Sequence, residues 1–172
     1  MARPTPQPVG TARRWRQAVA GNRGSAAIDA DGTLWAWGNN GVGQLGTGTS
    51  LDSVVPVAVS GGATWRAAAT GTDYAAAVRA DGTLWLWGNN IFGQLGDGTT
   101  TQRNAPAQLG TSTSWVASAA SNHTLSLQAN GTLWASGYNG SGQLGDGTQV
   151  SRPTFAQPCP SPCSGWPTMT TA

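Results

Sequence analysis

The string DGTLWAWGNNGVGQLGTGT at residues 31–49 returns as DGTLWLWGNNIFGQLGDGT at 81–99 and, more altered, as NGTLWASGYNGSGQLGDGT at 130–148. The step is fifty residues from Asp31 to Asp81 (81 − 31) and forty-nine from Asp81 to Asn130 (130 − 81). Trp15, Trp65 and Trp115 keep the same spacing, Trp166 follows it approximately, and Pro6, Pro56 and Pro106 hold the phase. A unit of this size cannot bury its apolar face by itself and is stable only when like units stack. The chain is therefore a solenoid, a propeller or an array.

Composition chooses among these. There is no Glu and no Lys; all nine basic residues are Arg and all seven acids are Asp. Gly, Thr, Ser and Asn predominate, and each favours turns, loops or strands over helix interiors, so helical-hairpin repeats are excluded. The second unit reads as four short strands. WRAAA from Trp65 runs to a break at Thr70 and Gly71, and YAAAVR at 74–79 ends in Asp81-Gly82, a tight-hairpin signal. In TLWLW at 83–87, alternation puts Trp85 and Trp87 on one face and Leu84 and Leu86 on the other. GNNIFGQLGDGT is too rich in Gly and Asn for a strand. The fourth strand is expected around residues 105–109, with Pro106 tolerable only at an edge or a strand start.

This pattern predicts an all-β fold, a partial β-propeller of about three four-stranded antiparallel blades. Units lie near 15–64, 65–114 and 115–157, with 1–14 the end of a preceding unit. Alanines at 67–69 and 75–77 let adjacent sheets approach, while paired tryptophans fill the wider gap. One buried Trp removes about 200 Å² from water, worth about 5 kcal/mol before entropy is charged. The third unit has Ser136 where Trp37 and Trp87 stand, and it drops a residue that we place between Trp115 and Ala120. Its packing is expected to be the weakest. From residue 158 the pattern dissolves into a tail rich in Pro, Ser and Thr, which reads as disordered.

The string G-N-N-x-x-G-Q-L-G after D-G-T-L-W-x-W resembles the repeats of the regulator of chromosome condensation family, particularly their bacterial relatives. The likeness covers residues 4–147, and Gly43, Gln44, Leu45 and Gly46 recur at 93–96 and 142–145. A second family marker, Gly followed three residues later by His, is only partly kept. Gly71 is followed by Tyr74, His123 is preceded by Ala120, and Gly21 leads to Gly24. The resemblance implies a seven-bladed propeller of four-stranded blades. It implies members that act as exchange factors for a small GTPase, as chromatin binders, or as inhibitors of secreted bacterial enzymes. The residues matched here are packing and turn residues, so the resemblance carries none of those surfaces over. Three units cannot close a ring of seven. The chain is then a fragment, or self-assembles with other chains to close a propeller, or is poorly stable.

Little in the chain points to catalysis. The Gly-rich loops lack the Lys-Ser/Thr end of a phosphate-binding loop and open no helix. Gln44, Gln94 and Gln143 are expected to bond loop backbone instead. His123 is the single histidine, and a strand-end hydrogen bond is its expected role. Cys159 and Cys163 sit in the tail as free thiols or a local disulfide, and hairpin chemistry accounts for the recurrent aspartates. No enzyme activity, metal or cofactor is expected. A net charge of +2 provides no field to gather nucleic acid, and the cluster Arg13, Arg14, Arg16 reads as a solvated strand edge. No apolar run is long enough to cross a bilayer, the opening residues have no signal-peptide core, and the compartment stays open.

The reading is a non-enzymatic scaffold whose variable loops bind a protein partner, with nucleotide exchange or enzyme inhibition as alternatives. Candidate contact residues are Arg23, Asp73, Tyr74, Asn122 and His123 on one side, and Ile91 and Phe92, with Val42 and Ser141, on the other.

Overall fold

The computed structural model describes residues 13–158 together with Thr5, Pro8 and Val9; Cys159, Cys163 and the tail from 159 on lie outside the described residues. Twelve strands follow in order: β1 (Trp15–Ala20), β2 (Gly24–Asp29), β3 (Leu34–Gly38), β4 (Ser53–Ala58), β5 (Trp65–Thr70), β6 (Tyr74–Arg79), β7 (Leu84–Gly88), β8 (Arg103–Gln108), β9 (Trp115–Ala120), β10 (His123–Gln128), β11 (Leu133–Gly137) and β12 (Arg152–Ala156). They form three antiparallel four-stranded meanders, β1-β2-β3-β4, β5-β6-β7-β8 and β9-β10-β11-β12, called blades 1 to 3 below. The fourth strand begins two residues earlier than expected, at Arg103, because its pairing to β7 shifts register between Leu86 and Gly88. Pro106 lies in this outermost strand, where a missing N–H faces no partner strand.

Hairpin chemistry explains the β2–β3 type of connection. Gly82 has φ +82°, which an L-residue rarely adopts, and a side chain at this position would also overlap the Thr113 carbonyl. The same conformation recurs at Gly32 and Gly131.

Alternation in each third strand gives every blade two unlike faces. The forward face of blade 1, with Ile28, Leu34, Ala36 and Leu45, packs on the backward face of blade 2, with Trp65, Trp87, Ala75 and Ala77. Blade 2 repeats this with Val78, Leu84, Leu86 and Leu95 against Trp115, Trp134 and Phe155 of blade 3. Strand contacts between sheets run through the first two strands of each blade, where alanines allow the closest approach. The indoles meet edge-on or tilted rather than stacked, Trp65 lying 6.4 Å from Trp85 at 85° and 5.9 Å from Trp87 at 55°.

The residue missing from the third unit is not lost from its strand. Strands β5 and β9 both have six residues. The turn after β9 holds only Ser121 and Asn122, where Gly71, Thr72 and Asp73 follow β5. A turn absorbs a deletion that a ladder, with its fixed alternation, cannot.

Candidate functional site

In a four-stranded meander the β1–β2 turn and the β3–β4 loop emerge at the same end, opposite the β2–β3 hairpin. The two sets of variable residues expected on opposite sides therefore share one end. The backbone stitches them together directly. Asn39 N–H donates to the Arg23 carbonyl at 2.9 Å, Asn89 to Asp73 at 2.9 Å and Tyr138 to Asn122 at 3.1 Å.

The long loops at this end are held from within. Each has one fully buried asparagine, Asn40, Asn90 or Asn139. Its Oδ1 accepts from the N–H of Leu45, Leu95 or Leu144, 2.9 Å in each case. Its Nδ2 donates to two carbonyls further along, Thr49 and Leu51 in the first loop at 3.0 Å each. Gln44, Gln94 and Gln143 accept from the amides of Val42, Phe92 and Ser141 at 3.0, 3.0 and 2.8 Å, as expected. The asparagine was missed by sequence reasoning, although its recurrence in GNN, GNN and GYN was there to be read. An aspartate completes the loop in two copies. Asp97 binds Thr99 and Arg103, and Asp146 binds Thr148 and Arg152. Burial raises the pKa of both carboxyls, but these hydrogen bonds and cations outweigh it and leave both below the usual carboxylate range.

Upon this rigid frame the proposed contact residues are distributed unevenly. Ile91 is 63% exposed, and the rim-exposed Phe92 packs its ring 5.1 Å from that of Tyr138 in blade 3. Since Tyr138 is tied to Asn122, the residues Ile91, Phe92, Tyr138 and Asn122 come together across the seam of blades 2 and 3. Asp73 joins them through Asn89, whose Oδ1 accepts from Ile91 N–H at 2.9 Å. Arg23 is exposed on blade 1, apart from this group.

Tyr74 does not belong to the surface. It is 1% exposed, and its hydroxyl donates to the His123 carbonyl at 2.7 Å while pairing with Thr124 Oγ1 at 2.8 Å. Burial pushes its phenol well above the ordinary tyrosine pKa. Tyr74 is thus a pin between blades 2 and 3. His123 makes its strand-end hydrogen bonds through its carbonyl rather than its ring, accepting also from Ser121 N–H at 3.0 Å. Its half-buried imidazole has a lowered pKa because burial disfavours the cation.

At the opposite end Arg13 and Arg16 are engaged, while Arg14 is exposed as expected of a solvated strand edge. The Arg13 guanidinium lies 3.5 Å over the Trp35 ring and 3.6 Å from Asp29, and Arg16 donates to the Trp65 carbonyl of the next blade at 2.5 Å. Burial raises the Asp29 pKa, yet the Trp35 indole, two backbone amides and Arg13 bring it below the ordinary value. Among the described residues no three His, Cys, Asp or Glu side chains converge as a metal site would need, and no helix is long and apolar enough to cross a membrane. A small cavity of about 20 Å³, room for one water, opens between blades 1 and 2 beside Gly24, where blade 2 has Tyr74.

Comparison with known proteins agrees with this architecture. The model of the regulator of chromosome condensation (RCC1) repeat matches residues 31–78 and 81–127, and a second RCC1 repeat model matches 15–44. The human and mouse E3 ubiquitin-protein ligase HERC2 are each 44% identical over 43 residues, 25% of this chain and 1% of theirs. Human WBSCR16 superposes with a TM-score of 0.74 at 27% identity, over 83% of this chain and 37% of that one. Prp20p of Saccharomyces cerevisiae, a protein with binding properties toward Gsp1p and histones, superposes with a TM-score of 0.74 at 19% identity, over 87% and 39%. The chain thus spans well under half the length of each of these relatives, and the likeness to Prp20p shows the fold alone. With three sheets in register and repeat matches over most of their length, the chain belongs to the regulator of chromosome condensation repeat family.

Proposed function

We propose that this chain is a non-enzymatic scaffold that binds a protein partner through the end of the blades where turns and long loops converge. The observation supporting this reading is the group Ile91, Phe92, Tyr138 and Asn122. An exposed aliphatic and two aromatic side chains stand there on loops whose backbone is fixed from inside by asparagine and glutamine. Rigid presentation lowers the entropy lost on binding, and apolar anchors with a polar rim are how protein interfaces concentrate affinity. The frame repeats from blade to blade while the tips differ: Arg23, Asp73 and Asn122 in the short turns, Val42, Ile91 with Phe92, and Ser141 in the long loops. A scaffold that recognises one partner needs this combination.

The reading is tested by crosslinking the folded chain to its surroundings in the source cell, alongside an Ile91→Ser/Phe92→Ser double variant. A protein captured by the parent and lost from the double variant supports the assignment. Capture that is unchanged by the substitutions removes this end as the binding face.

A further inference from the structure

Asparagine followed by glycine occurs three times in the chain, at Asn40-Gly41, Asn130-Gly131 and Asn139-Gly140. The pair is chemically weak, because glycine has no Cβ to keep its own nitrogen away from the side-chain carbonyl before it, and asparagine is a thermolabile residue. The fold treats the three pairs differently. Asn40 and Asn139 are fully buried, each Oδ1 accepts from a leucine N–H at 2.9 Å, and each Nδ2 donates to two loop carbonyls. Neither amide can turn toward its glycine nitrogen without opening the long loop it holds.

Asn130 stands instead at the tip of the β10–β11 hairpin, where it is exposed. Asp31 and Asp81 are exposed at the same position although a further blade packs beside each, so the exposure belongs to the hairpin itself. The Gly131 N–H donates to the Gln128 carbonyl at 2.9 Å, a single bond of the turn. The Asn130 Oδ1 accepts from Thr132 N–H at 3.0 Å and from Thr132 Oγ1 at 2.7 Å, while its Nδ2 has no hydrogen-bond partner among the described residues. Two donors on Oδ1 polarise the side-chain carbonyl and face the oxygen on which charge develops when Cγ is attacked. The nitrogen that must leave is the one that nothing holds.

We infer that Asn130 is a site of spontaneous covalent modification, converted through a cyclic imide to aspartate or isoaspartate while Asn40 and Asn139 stay intact. The Gly131 nitrogen gives up its proton to water or hydroxide and attacks Asn130 Cγ. The new C–N bond makes a tetrahedral centre whose oxyanion faces the Thr132 donors. On collapse Nδ2 takes a proton from water and leaves as ammonia, closing the imide ring. Water then adds to one of the two ring carbonyls. Breaking the bond from the Gly131 nitrogen to Cγ restores the main chain and leaves aspartate. Breaking its bond to the Asn130 main-chain carbonyl carbon routes the chain through Cγ and leaves isoaspartate.

The two products act in opposite directions. Aspartate is what blades 1 and 2 have at this position, and Asp81 Oδ1 accepts from Thr83 N–H at 3.0 Å and Thr83 Oγ1 at 2.6 Å, the bonds that Asn130 already makes. A charged acceptor strengthens such bonds, so this product tightens the turn. Isoaspartate adds a methylene to the main chain of a hairpin whose closing pair is Leu127 opposite Leu133, and it loosens the third blade.

The test incubates the full chain at neutral to mildly alkaline pH, beside a synthetic peptide of residues 127–134. Chymotrypsin cuts after Trp134 and so separates Asn130 from Asn139 for mass spectrometry. Asn130 is expected to convert at least about tenfold faster than Asn40 or Asn139, whose loops must first open. Isoaspartate is expected among its products, since only the imide route makes it. The aspartate form should co-elute on ion exchange with an Asn130→Asp variant. An Asn130 that stays intact while the peptide converts overturns the proposal, as does an Asn40 or Asn139 that keeps pace with it. Conversion that yields no isoaspartate overturns the cyclic step. None of these results bears on the loop-end partner, whose assay reads capture at Ile91 and Phe92.

Discussion

The two seams inside the chain share a backbone plan but are filled differently. Between blades 1 and 2 the bulk comes from Trp87 on the third strand, packed on Trp65, while Gly24 leaves a small hole on the facing blade. Between blades 2 and 3 the third strand has only Ser136, and the ring arrives from the outermost strand: Phe155 lies 5.9 Å from Trp115 at 75°. Phe155 occupies the register of Pro56 and Pro106. Ser136 keeps the polar half of the lost indole by donating to the Gln94 carbonyl at 3.2 Å, as Trp87 donates to Gln44. Opposite it, Tyr74 supplies the ring that Gly24 lacks. The difference teaches that a propeller seam specifies volume and one donor, while the strand that supplies them is free to change.

The contrast between the seams is most easily broken at the Trp87 indole. Trp87→Ala empties the first seam and orphans the Gln44 carbonyl, and it is expected to cost about 3–5 kcal/mol of unfolding free energy in urea titration. A loss below about 1 kcal/mol would mean that this seam does not rest on the indole. A sharper test exchanges the two solutions. Ser136→Trp drives an indole into the space held by Phe155 and should cost about 1–3 kcal/mol from overpacking. Adding Phe155→Pro, the residue at this register in blades 1 and 2, should recover a good part of that loss. If the double variant is no more stable than the single, the two rings do not share one site.

Tyr74→Phe keeps the ring and removes a buried hydroxyl with two partners. The expected loss is about 1–2 kcal/mol, read from the same titrations. In the parent, the raised phenol pKa means that stability is full below the unfolded tyrosine pKa of about 10 and declines as pH rises beyond it. The Phe variant should show a weaker decline there. The smallest effect belongs to His123. Its lowered pKa means the folded state resists the imidazolium, so stability is full above the unfolded pKa of about 6.5 and falls as pH drops through the folded value. With one histidine in the chain, His123→Gln should flatten the stability profile between about pH 7 and 5, a window above the lowered aspartates. An unaltered slope would assign that dependence to another group.

Much of this was legible beforehand because repetition carries its own control. Three copies of one string separate frame from variation within a single chain, so the order of the strands, the Asp-Gly hairpins and the glutamine brackets were readable, though not the start of the fourth strand or the place of the missing residue. The buried asparagines were equally repeated but hidden, since an Asn in a Gly-rich loop has the composition of a solvated turn whether or not its amide faces inward. Tyr74 misled for a related reason. It differs between copies as a contact residue would, yet it varies because it compensates for its neighbours across the seam.

By itself the sequence determined the period, the all-β blades and the alternation of Trp and Leu faces, because those follow from local rules of spacing and turn chemistry. Only the tertiary structure decided that Phe155 stands in for a missing tryptophan and that Tyr74 lies inside. Each of those depends on which side chains meet across sheets some fifty residues apart, and packing volume between sheets is a property of pairs that no single strand records.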